Sequence, residues 1–395
     1  MTYILLSTEI FRWWNSIYEQ ERIRMKELKR IAMQDAANVK VHGRTTKERN
    51  PITLFWTASA IECNVKASEL WIELSSTYDV YEPWISILVN GACVSRLMLT
   101  EGTHRICIFR NMNSEVAKNI RIVKDTQAMP SDTKHCLQLH AIETDGELLP
   151  VEERPYRLEF IGDSITSGEG TIGAVEEVDW VSMFMSSQNH YGTMTANKLN
   201  ADYRVLSQGG WGTYASWDNN PNNVMPAYYE YICGVIQGEN NLKLGVMEKN
   251  DFSEWIPDAV IINLGTNDNG AFHNQAYVDE VTGEVYKQRL NEDGTFNEED
   301  LAKFKNAVYE FIKKVRFYNP NTQIVWTYGM IGHDMANSIA EMVDKYKKDT
   351  KDSKVSFLIL PDMTPETVGA RSHPGVKAHQ IAADVLAAYL KDLLQ

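Results

Sequence analysis

The sequence predicts an α/β protein in which an antiparallel, jelly-roll-like β-sandwich precedes a three-layer α/β/α domain with a five-stranded parallel sheet. Three observations support this fold class. The length of 395 residues exceeds what one hydrophobic core usually organises. Residues 38–153 contain short β-branched runs without helical periodicity, whereas residues 154–395 alternate such runs with long amphipathic stretches. We therefore expect two domains, preceded by a short segment at residues 1–37.

The segment at residues 1–37 mixes aromatic and aliphatic side chains with charges, and we expect one or two surface helices between Phe11 and Ala36. Interleaved glutamates favour a solvated helix face over a membrane-surface helix. The first residues show no basic leader and no cleavage site, so the sequence predicts a cytoplasmic protein unless a leader has been removed. No apolar run approaches the roughly 18 residues that a membrane span requires.

Residues 38–153 predict the sandwich. The strand-like runs are Trp71–Leu74, Ile85–Val89, Ile106–Phe109 and Ile120–Val123. Asn90-Gly91 lies between two such runs, and this dipeptide is the strongest short-range hairpin signal. Nothing in this region resembles a catalytic group of residues, so we interpret it as a packing or binding module.

Arg154-Pro155 is the predicted boundary to the parallel-sheet domain. The expected strands are Leu158–Ile161, Tyr203–Leu206, Ala259–Leu264, Gln323–Thr327 and Val355–Leu360, and the expected helices are Glu299–Tyr318, Asp334–Lys348 and Val376–Leu394. Sites in such sheets form at the carboxyl ends of the strands. Two long insertions, at about 214–255 and 270–300, are expected to overhang that edge.

Four motifs follow predicted strands at this edge. They are Gly162-Asp163-Ser164, Gly209-Gly210-Trp211-Gly212, Gly265-Thr266-Asn267-Asp268 and His373-Pro374. Ser164 on a tight turn is a candidate nucleophile, which needs a base because a hydroxyl is unreactive at neutral pH. His373 is the candidate base: it precedes Pro374, a favoured first helical residue, and is therefore expected to project from a loop at a helix start.

Acyl transfer also requires donors for the developing oxyanion. The candidates are backbone N–H groups at the start of the helix after Ser164, the backbone of Gly210 and the side-chain amide of Asn267. Trp211 is adjacent to one predicted donor and is a candidate substrate contact. Further aromatic residues near strand ends or in insertions are Trp180, Tyr191, Trp217 and Trp326, the last of which is expected to pack in the core.

The four motifs, in this order, resemble the blocks of the SGNH (GDSL) hydrolase superfamily. With a β-sandwich in front, the chain resembles carbohydrate esterase family 2, the bacterial acetyl xylan esterases, and Phe160–Gly170 agrees with that family's nucleophile segment. The resemblance implies an SGNH-type catalytic domain with Ser164 as nucleophile and His373 as base. It also implies an oxyanion hole formed by the N–H groups of Ser164 and Gly210 and by Asn267.

One position departs from the superfamily pattern. Most members place an aspartate three residues before the histidine, and this chain has Ala370 there. The resemblance to family 2 implies a Ser–His dyad whose histidine is oriented by a backbone carbonyl. Asp362 is a candidate for a displaced third member.

The resulting hypothesis is a serine esterase that removes O-acetyl groups from xylan-derived or related acetylated oligosaccharides through an acetyl-serine intermediate. One alternative is an esterase, lipase or thioesterase for longer acyl chains. Another is a non-catalytic carbohydrate-binding protein, supported only by the missing aspartate. Which sugar and which hydroxyl are deacetylated stays open, as does the role of the sandwich.

Composition limits the partners and cofactors. A net charge of −14 argues against nucleic acid as a partner, and no membrane partner is expected. No metal or cofactor is expected either, because the sequence lacks a His-Glu-x-x-His or phosphate-loop spacing. Five cysteines at scattered spacings argue against a disulfide framework, and four of them lie in strand-like segments. The oligomeric state is left open, a homo-oligomer included.

Overall fold

A computed structural model describes residues 27–395. The helices predicted from Phe11 lie outside these residues except for their last part, where the structure differs from the prediction. Lys29–Ala32 forms a strand, β1, and a single 3-10 turn follows at Met33–Asp35. Ile31 on this strand packs against the sandwich core. The sandwich therefore begins before residue 38, because a strand partner offers these few residues more hydrogen bonds than an isolated short helix would.

The sandwich consists of two antiparallel sheets around one core. Its strands are β1 (Lys29–Ala32), β2 (Lys40–His42), β3 (Ile52–Thr53), β4 (Ala60–Lys66), β5 (Leu70–Thr77), β6 (Trp84–Val89), β7 (Ala92–Met98), β8 (Gly102–Phe109), β9 (Ala117–Lys124), β10 (Cys136–Thr144) and β11 (Glu147–Leu149). One sheet has the order β1-β10-β5-β8, with β3 also on β10, and the other has β11-β4-β9-β6-β7, with β2 also on β4. The antiparallel architecture predicted from the sequence is confirmed.

The predicted hairpin at Asn90-Gly91 joins β6 to β7. Both residues have positive φ, 52° and 80°, as a tight two-residue hairpin turn demands. The four predicted strands all exist, each somewhat longer than its β-branched run. The five cysteines are free thiols, four of them on strands of the sandwich.

The second part of the chain forms a parallel sheet of five strands in the order β13-β12-β14-β17-β18. These strands are β12 (Tyr156–Gly162), β13 (Ala201–Ser207), β14 (Ala259–Asn263), β17 (Gln323–Gly329) and β18 (Val355–Leu360), and a two-stranded hairpin adds β15 (Tyr277–Val278) and β16 (Val285–Tyr286). The helices are α1 (Ser164–Ser167), α2 (Tyr191–Lys198), α3 (Glu239–Lys243), α4 (Thr266–His273), α5 (Glu298–Tyr318), α6 (Ala336–Thr350) and α7 (Val376–Leu393).

Both faces of the parallel sheet are covered, which confirms the three-layer prediction. Phe160 packs in one core cluster with α2 and α7, and its neighbour Ile161 packs in another with α5 and α6. Successive residues of a strand point to opposite faces, so the two helix pairs lie on opposite sides of the sheet.

The strand order places a crevice between β12 and β14. The chain leaves β12 for one neighbour, β13, and later enters the sheet on the other side at β14. Ligand sites of open α/β sheets lie at such a switch point, beyond the carboxyl ends of the strands. Gly162 of β12 pairs with Asn263 of β14 at this edge. The first motif begins at Gly162, and the third motif begins two residues after Asn263.

The sandwich is packed against the parallel sheet through apolar and polar contacts. Ala58, Ala60 and Val123 belong to the same core cluster as the face of the sheet that carries Phe160. A buried polar cluster lies at the same boundary: Glu62 bonds His42 (2.7 Å) and Arg154 (2.7 Å).

Asp202 completes this cluster by pairing with Arg154 (2.6 Å) and Lys40 (2.7 Å). His42, Glu62 and Asp202 have their ligand atoms within 4.8 Å of one another, as in a metal site. Because both carboxylates already pair with cations, we assign the cluster to the contact between the two parts of the chain.

The two insertions are bound to each other. The Asn219 amide donates to the carbonyl oxygens of Ala271 (2.8 Å) and Gln275 (2.9 Å), and its oxygen accepts from the Gln288 N–H (2.8 Å). Within residues 27–395, no helix is long and apolar enough to span a membrane.

Candidate active site

Ser164 is the first residue of α1, directly beyond the end of β12. The preceding residue, Asp163, caps this short helix by accepting the Ile165 N–H on Oδ1 (3.0 Å). Glycine is required at position 162, because a Cβ there would lie 2.0 Å from Thr166 Oγ1 and 2.8 Å from the Asn263 carbonyl oxygen. This tight strand-to-helix turn presents the Ser164 hydroxyl to the cleft.

His373 meets the nucleophile candidate. Its Nε2 lies 2.9 Å from Ser164 Oγ, and its Nδ1 lies 2.9 Å from the carbonyl oxygen of Arg371. A carbonyl oxygen only accepts, so Nδ1 must carry the proton. Nε2 is then free to accept the Ser164 O–H, which is the tautomer that a general base requires.

The histidine is held by a turn in an unusual backbone conformation. Arg371 and Ser372 have φ of 55° and 54°, in the left-handed region that non-glycine residues rarely adopt. Backbone hydrogen bonds secure the turn: the Ala370 N–H donates to Gly170 (2.9 Å) and the Arg371 N–H to Glu177 (2.8 Å). The left-handed geometry is what turns the Arg371 carbonyl towards the imidazole.

The position that usually carries an aspartate has no room for one. The Ala370 side chain is fully buried, and a Cβ on Gly173 would lie 2.4 Å from its methyl group. The nucleophile loop therefore packs directly on position 370, and the backbone carbonyl of the next residue bonds the imidazole instead.

Two predictions about the histidine need correction. Pro374 does not open the last helix, because α7 begins at Val376 with Gly375 as its cap, so His373 projects from the preceding turn rather than from a helix start. Asp362 is not brought to His373. Its carboxylate accepts the Gly332 N–H (2.9 Å) and lies 3.3 Å from His333 Nδ1.

The three predicted oxyanion donors line one cleft with Ser164 and His373. The cleft has a volume of about 400 Å³, and its lining comprises Ser164, Glu169, Trp180, Gly209, Gly210, Trp217, Asn267, Arg371 and His373. Gly210 has φ of 80°, which glycine adopts without strain. The Asn267 amide donates to the Trp211 carbonyl oxygen (3.0 Å) and to Asp163 Oδ2 (3.2 Å). These bonds hold the amide at the cleft and use both of its N–H groups, so it binds an oxyanion by sharing or releasing one of them.

Two buried aspartates stabilise the turns behind the donors. Burial raises the pKa of Asp163 to about 7. The hydrogen bond from the Ile165 N–H lowers this pKa, whereas the nearby carboxylates of Asp268 and Glu169 raise it further. Burial also raises the pKa of Asp268 to about 6, although this carboxylate accepts three backbone N–H groups, from Thr213 (2.8 Å), Tyr214 (2.7 Å) and Ala215 (3.1 Å). Asp268 thereby fixes the start of the first insertion.

The aromatic residue in the cleft differs from the predicted one. Trp211 is only 6% exposed, packs on Tyr228 and does not line the cleft around Ser164. Trp217 does line it and is 51% exposed. A Cβ on Gly210 would lie 3.0 Å from the Trp217 ring, so this indole lies against an oxyanion donor. Trp180 forms another wall, with its ring edge-to-face on Tyr81 of the sandwich (4.8 Å).

The remaining aromatic candidates are structural. Tyr191 is fully buried, hydrogen-bonds Thr166 (2.9 Å) and stacks on His379. Trp326 is fully buried, as expected from the sequence, and its indole N–H donates to the Leu264 carbonyl oxygen (3.1 Å).

Glu169 was not among the residues predicted for the site, yet its carboxylate lies in the cleft. Glu169 Oε1 accepts from Arg371 Nε (3.0 Å) and lies 3.9 Å from His373 Nε2. The available signal is the pair of glycines that flank it. Gly168 and Gly170 have φ of 74° and 69°, and a Cβ on Gly170 would lie 2.8 Å from the His373 Cβ.

The sandwich also contributes a residue that sequence reasoning missed. Gln127 lies in the segment after β9 and accepts the Gly209 N–H on its Oε1 (2.8 Å). The fully buried Lys124 holds this segment by donating to the carbonyl oxygens of Thr126 (2.8 Å) and Gln127 (2.6 Å). Burial lowers the pKa of Lys124 to about 7. The sandwich thus supports the turn that carries Gly210.

Comparison with known proteins agrees with this geometry. Residues 158–386 match the family model of the GDSL-like lipases/acylhydrolases, which is more than half of the chain. The chain belongs to this family. Ser164, Gly210, Asn267 and His373 all lie within the GDSL-like region.

Solved structures extend the similarity to both parts of the chain. An acetyl xylan esterase, Est2A from the rumen bacterium Butyrivibrio proteoclasticus, is 44% identical with a TM-score of 0.91, covering 93% of this chain and 98% of that one. A family two carbohydrate esterase from Clostridium thermocellum, solved with cellohexaose, is 24% identical with a TM-score of 0.74, covering 90% and 99%. The latter shows the same two-domain fold.

Curated relatives are more distant and longer. The cellulase/esterase CelE of Acetivibrio thermocellus is 26% identical over 347 residues, which are 86% of this chain and 37% of CelE. An acetylxylan esterase/glucomannan deacetylase of Cellvibrio japonicus is 25% identical over 62% of this chain and 61% of its own length. The chain therefore spans less than two thirds of these relatives.

Proposed function

We propose that this protein is a serine esterase that removes O-acetyl groups from xylan-derived or related acetylated oligosaccharides. The observation that carries the proposal is the 2.9 Å contact between Ser164 Oγ and His373 Nε2 in a solvent-accessible cleft, with Nδ1 held by a backbone carbonyl. The GDSL-like family match and the similarity to an acetyl xylan esterase support it.

In the first half of the reaction, His373 Nε2 takes the proton of Ser164 while Oγ attacks the acetyl carbonyl carbon. The negative charge that forms on the carbonyl oxygen is stabilised by the N–H groups of Ser164 and Gly210 and by the Asn267 amide. Collapse of this intermediate breaks the ester bond. The departing sugar oxygen takes the proton from Nε2, and an acetyl group stays on Ser164.

The second half uses the same groups with water as the nucleophile. His373 Nε2 takes a proton from water, the hydroxide attacks the acetyl carbonyl carbon, and the same donors bind the oxyanion. Collapse returns the proton to Ser164 Oγ and releases acetate. The Nδ1–H bond to Arg371 keeps the ring in one orientation through both halves, which is the positioning part of the role that a carboxylate has in a triad.

Preference for acetyl follows from the position of Trp217. Its ring lies against Gly210, so the indole limits the space beside the donor that binds the acyl oxygen. Among residues 27–395, Trp180 and Trp217 are the only large apolar side chains in the lining, and the other lining groups are polar or glycine. This lining lacks the apolar groove that a long acyl chain would need, and its indole faces suit stacking on a sugar ring.

The test compares acetate release from acetylated xylo-oligosaccharides, and hydrolysis of acetyl and butyryl aryl esters, between the native protein and Ser164→Ala. We expect acetyl esters to be preferred and Ser164→Ala to lower kcat by about 10⁶-fold, as loss of the nucleophile does in serine hydrolases. Retained activity in the variant would contradict the role of Ser164. A butyryl preference would favour a longer-acyl esterase, and sugar binding without acetate release would favour a non-catalytic protein.

A further inference from the structure

Glu169 is confined between the two turns that carry the reacting groups. It is 6% exposed, and the flanking glycines at 168 and 170 bring its backbone against the histidine turn. A Cβ on Gly170 would lie 2.2 Å from the Ala370 carbonyl oxygen. On the other side, a Cβ on Gly209 would lie 3.0 Å from Glu169 Oε2. The carboxylate therefore has a fixed place beside both the imidazole and the oxyanion turn.

The bonding of Glu169 links it to the histidine by two routes. Its Oε1 lies 3.9 Å from His373 Nε2, the atom that gains a proton in the transition state. The same oxygen accepts from Arg371 Nε (3.0 Å), and Arg371 supplies the carbonyl that holds Nδ1. The guanidinium is further fixed by donating from its NH1 group to the Val178 carbonyl oxygen (3.0 Å).

We propose that Glu169 is a positioning and charge-stabilising residue that replaces the carboxylate missing at position 370. Through its ion pair it keeps Arg371 in the left-handed conformation that turns the carbonyl to Nδ1. Through space it stabilises the positive charge that His373 acquires when it takes the serine proton. The inference rests on the proposed esterase function and assigns a role to a side chain from the nucleophile loop.

In the part of the chain that the structure describes, the charged or titratable groups around His373 do not act equally. Glu169 favours the protonated ring, and the Arg371 guanidinium offsets part of that effect. His379 on α7 is fully buried, and burial lowers its pKa well below the usual value, so it stays neutral. Asp163 lies beyond Ser164, where it bonds Ile165 and Asn267 rather than the imidazole. Glu169 is thus the nearest source of negative charge for the imidazolium, and Arg371 moderates it.

The first variant is Glu169→Gln, which retains an oxygen for Arg371 and removes the charge. We expect kcat to fall about tenfold with KM nearly unchanged, because the charge acts mainly on the transition state. The acidic limb of the kcat/KM profile, which reports the base of the free enzyme, is expected to move to lower pH, because the protonated imidazole loses the adjacent negative charge.

The second variant is Arg371→Met, which removes the guanidinium and leaves the carboxylate unpaired beside the ring. The acidic limb is expected to move the other way, to higher pH, even if kcat falls because the turn is less well held. A purely structural role for the ion pair predicts no such opposite shifts. Glu143→Gln, which disrupts an ion pair with Arg105 in the sandwich, is the matched control and is expected to leave the limb unchanged.

Three results would overturn the proposal: an acidic limb unchanged in Glu169→Gln, a shift in the same direction in both variants, or a kcat in Glu169→Gln equal to that of the native protein. Melting temperatures of all variants show whether each is folded at the assay temperature. If Glu169→Gln is unfolded there, Glu169→Asp replaces it, and this variant is expected to retain part of the native kcat because it keeps the negative charge. Activity that depends on Ser164 but not on Glu169 would reject this inference alone, whereas activity independent of Ser164 would reject the esterase mechanism itself.

Discussion

Replacing Gln127 tests whether the sandwich takes part in catalysis. Gln127 is 2% exposed and belongs to the sandwich, yet its Oε1 accepts the N–H of Gly209, next to the oxyanion donor Gly210. Gln127→Met retains the length of the side chain and removes the acceptor. The change therefore acts on the oxyanion turn without touching Ser164 or His373.

The expected magnitude follows from the bond that is lost. A buried N–H without an acceptor costs about 1–3 kcal/mol, and the turn relieves that cost by moving. Complete loss of one oxyanion donor lowers kcat by about 10²–10³-fold, and a displaced donor costs less than an absent one. We therefore expect kcat to fall about 10–100-fold with little change in KM, and the melting temperature to fall by a few degrees.

The assay measures kcat and KM on an acetyl ester together with the melting temperature. Gln138→Met is the control, because Gln138 also makes a side-chain hydrogen bond, in this case donating to Thr53 Oγ1 (3.1 Å) between two paired strands of the sandwich, β10 and β3. The control is expected to lose stability but not kcat. A native kcat in Gln127→Met would refute the role assigned to the sandwich.

Further substitutions test Trp217 beside the acyl site, the buried carboxyl group of Asp163, and Asp362, which the structure does not bring to His373. Trp217→Ala is expected to raise the ratio of butyryl to acetyl kcat/KM about tenfold or more, on the scale that one or two methylenes are worth in an apolar pocket; an unchanged ratio would remove Trp217 from the acyl site. Burial raises the pKa of Asp163 from 3.8 to about 7, so the unfolded chain loses this proton first and folding stability falls as pH rises between those values. In thermal melts from pH 4 to 8, the free energy of unfolding of Asp163→Asn is expected to rise relative to that of the native protein by up to about 4 kcal/mol. A difference that stays constant with pH would contradict the raised pKa of Asp163. Asp362→Asn is expected to keep kcat within about twofold, because this carboxylate contacts Gly332 and His333 rather than His373. A tenfold loss of kcat would show that Asp362 takes part in catalysis.

The parts of the fold that follow from local pattern were predictable. All five parallel strands lie where apolar runs of strand length occur, since a strand in a sheet covered on both faces is rich in apolar residues. The meeting of Ser164, Gly210, Asn267 and His373 followed from the rule that parallel strands end at one edge of a sheet. The strand at Lys29–Ala32 was not predictable in this way, because its partner β10 lies more than a hundred residues away.

The parts of the site that depend on turn geometry were not predictable. Trp211 was selected because it adjoins Gly210 in sequence, but the left-handed glycine directs the next side chain into the core, and Trp217 fills the place instead. The resemblance to family 2 implied that a backbone carbonyl orients the imidazole, but it did not say which one. The bond from Arg371 requires two consecutive left-handed residues, which no local sequence signal specifies. Gln127 reaches Gly209 across the boundary between the two parts of the chain. The cytoplasmic location stays a prediction.

Locating the acetyl group during turnover tests the central claim most directly. The native protein is mixed with an activated acetyl aryl ester, quenched in acid within the first turnovers, digested and analysed by peptide mass spectrometry. The mechanism predicts one acetyl group on Ser164, and none in His373→Ala under the same conditions. An acetyl group on a different side chain, or native rates of acetate release from Ser164→Ala, would contradict it.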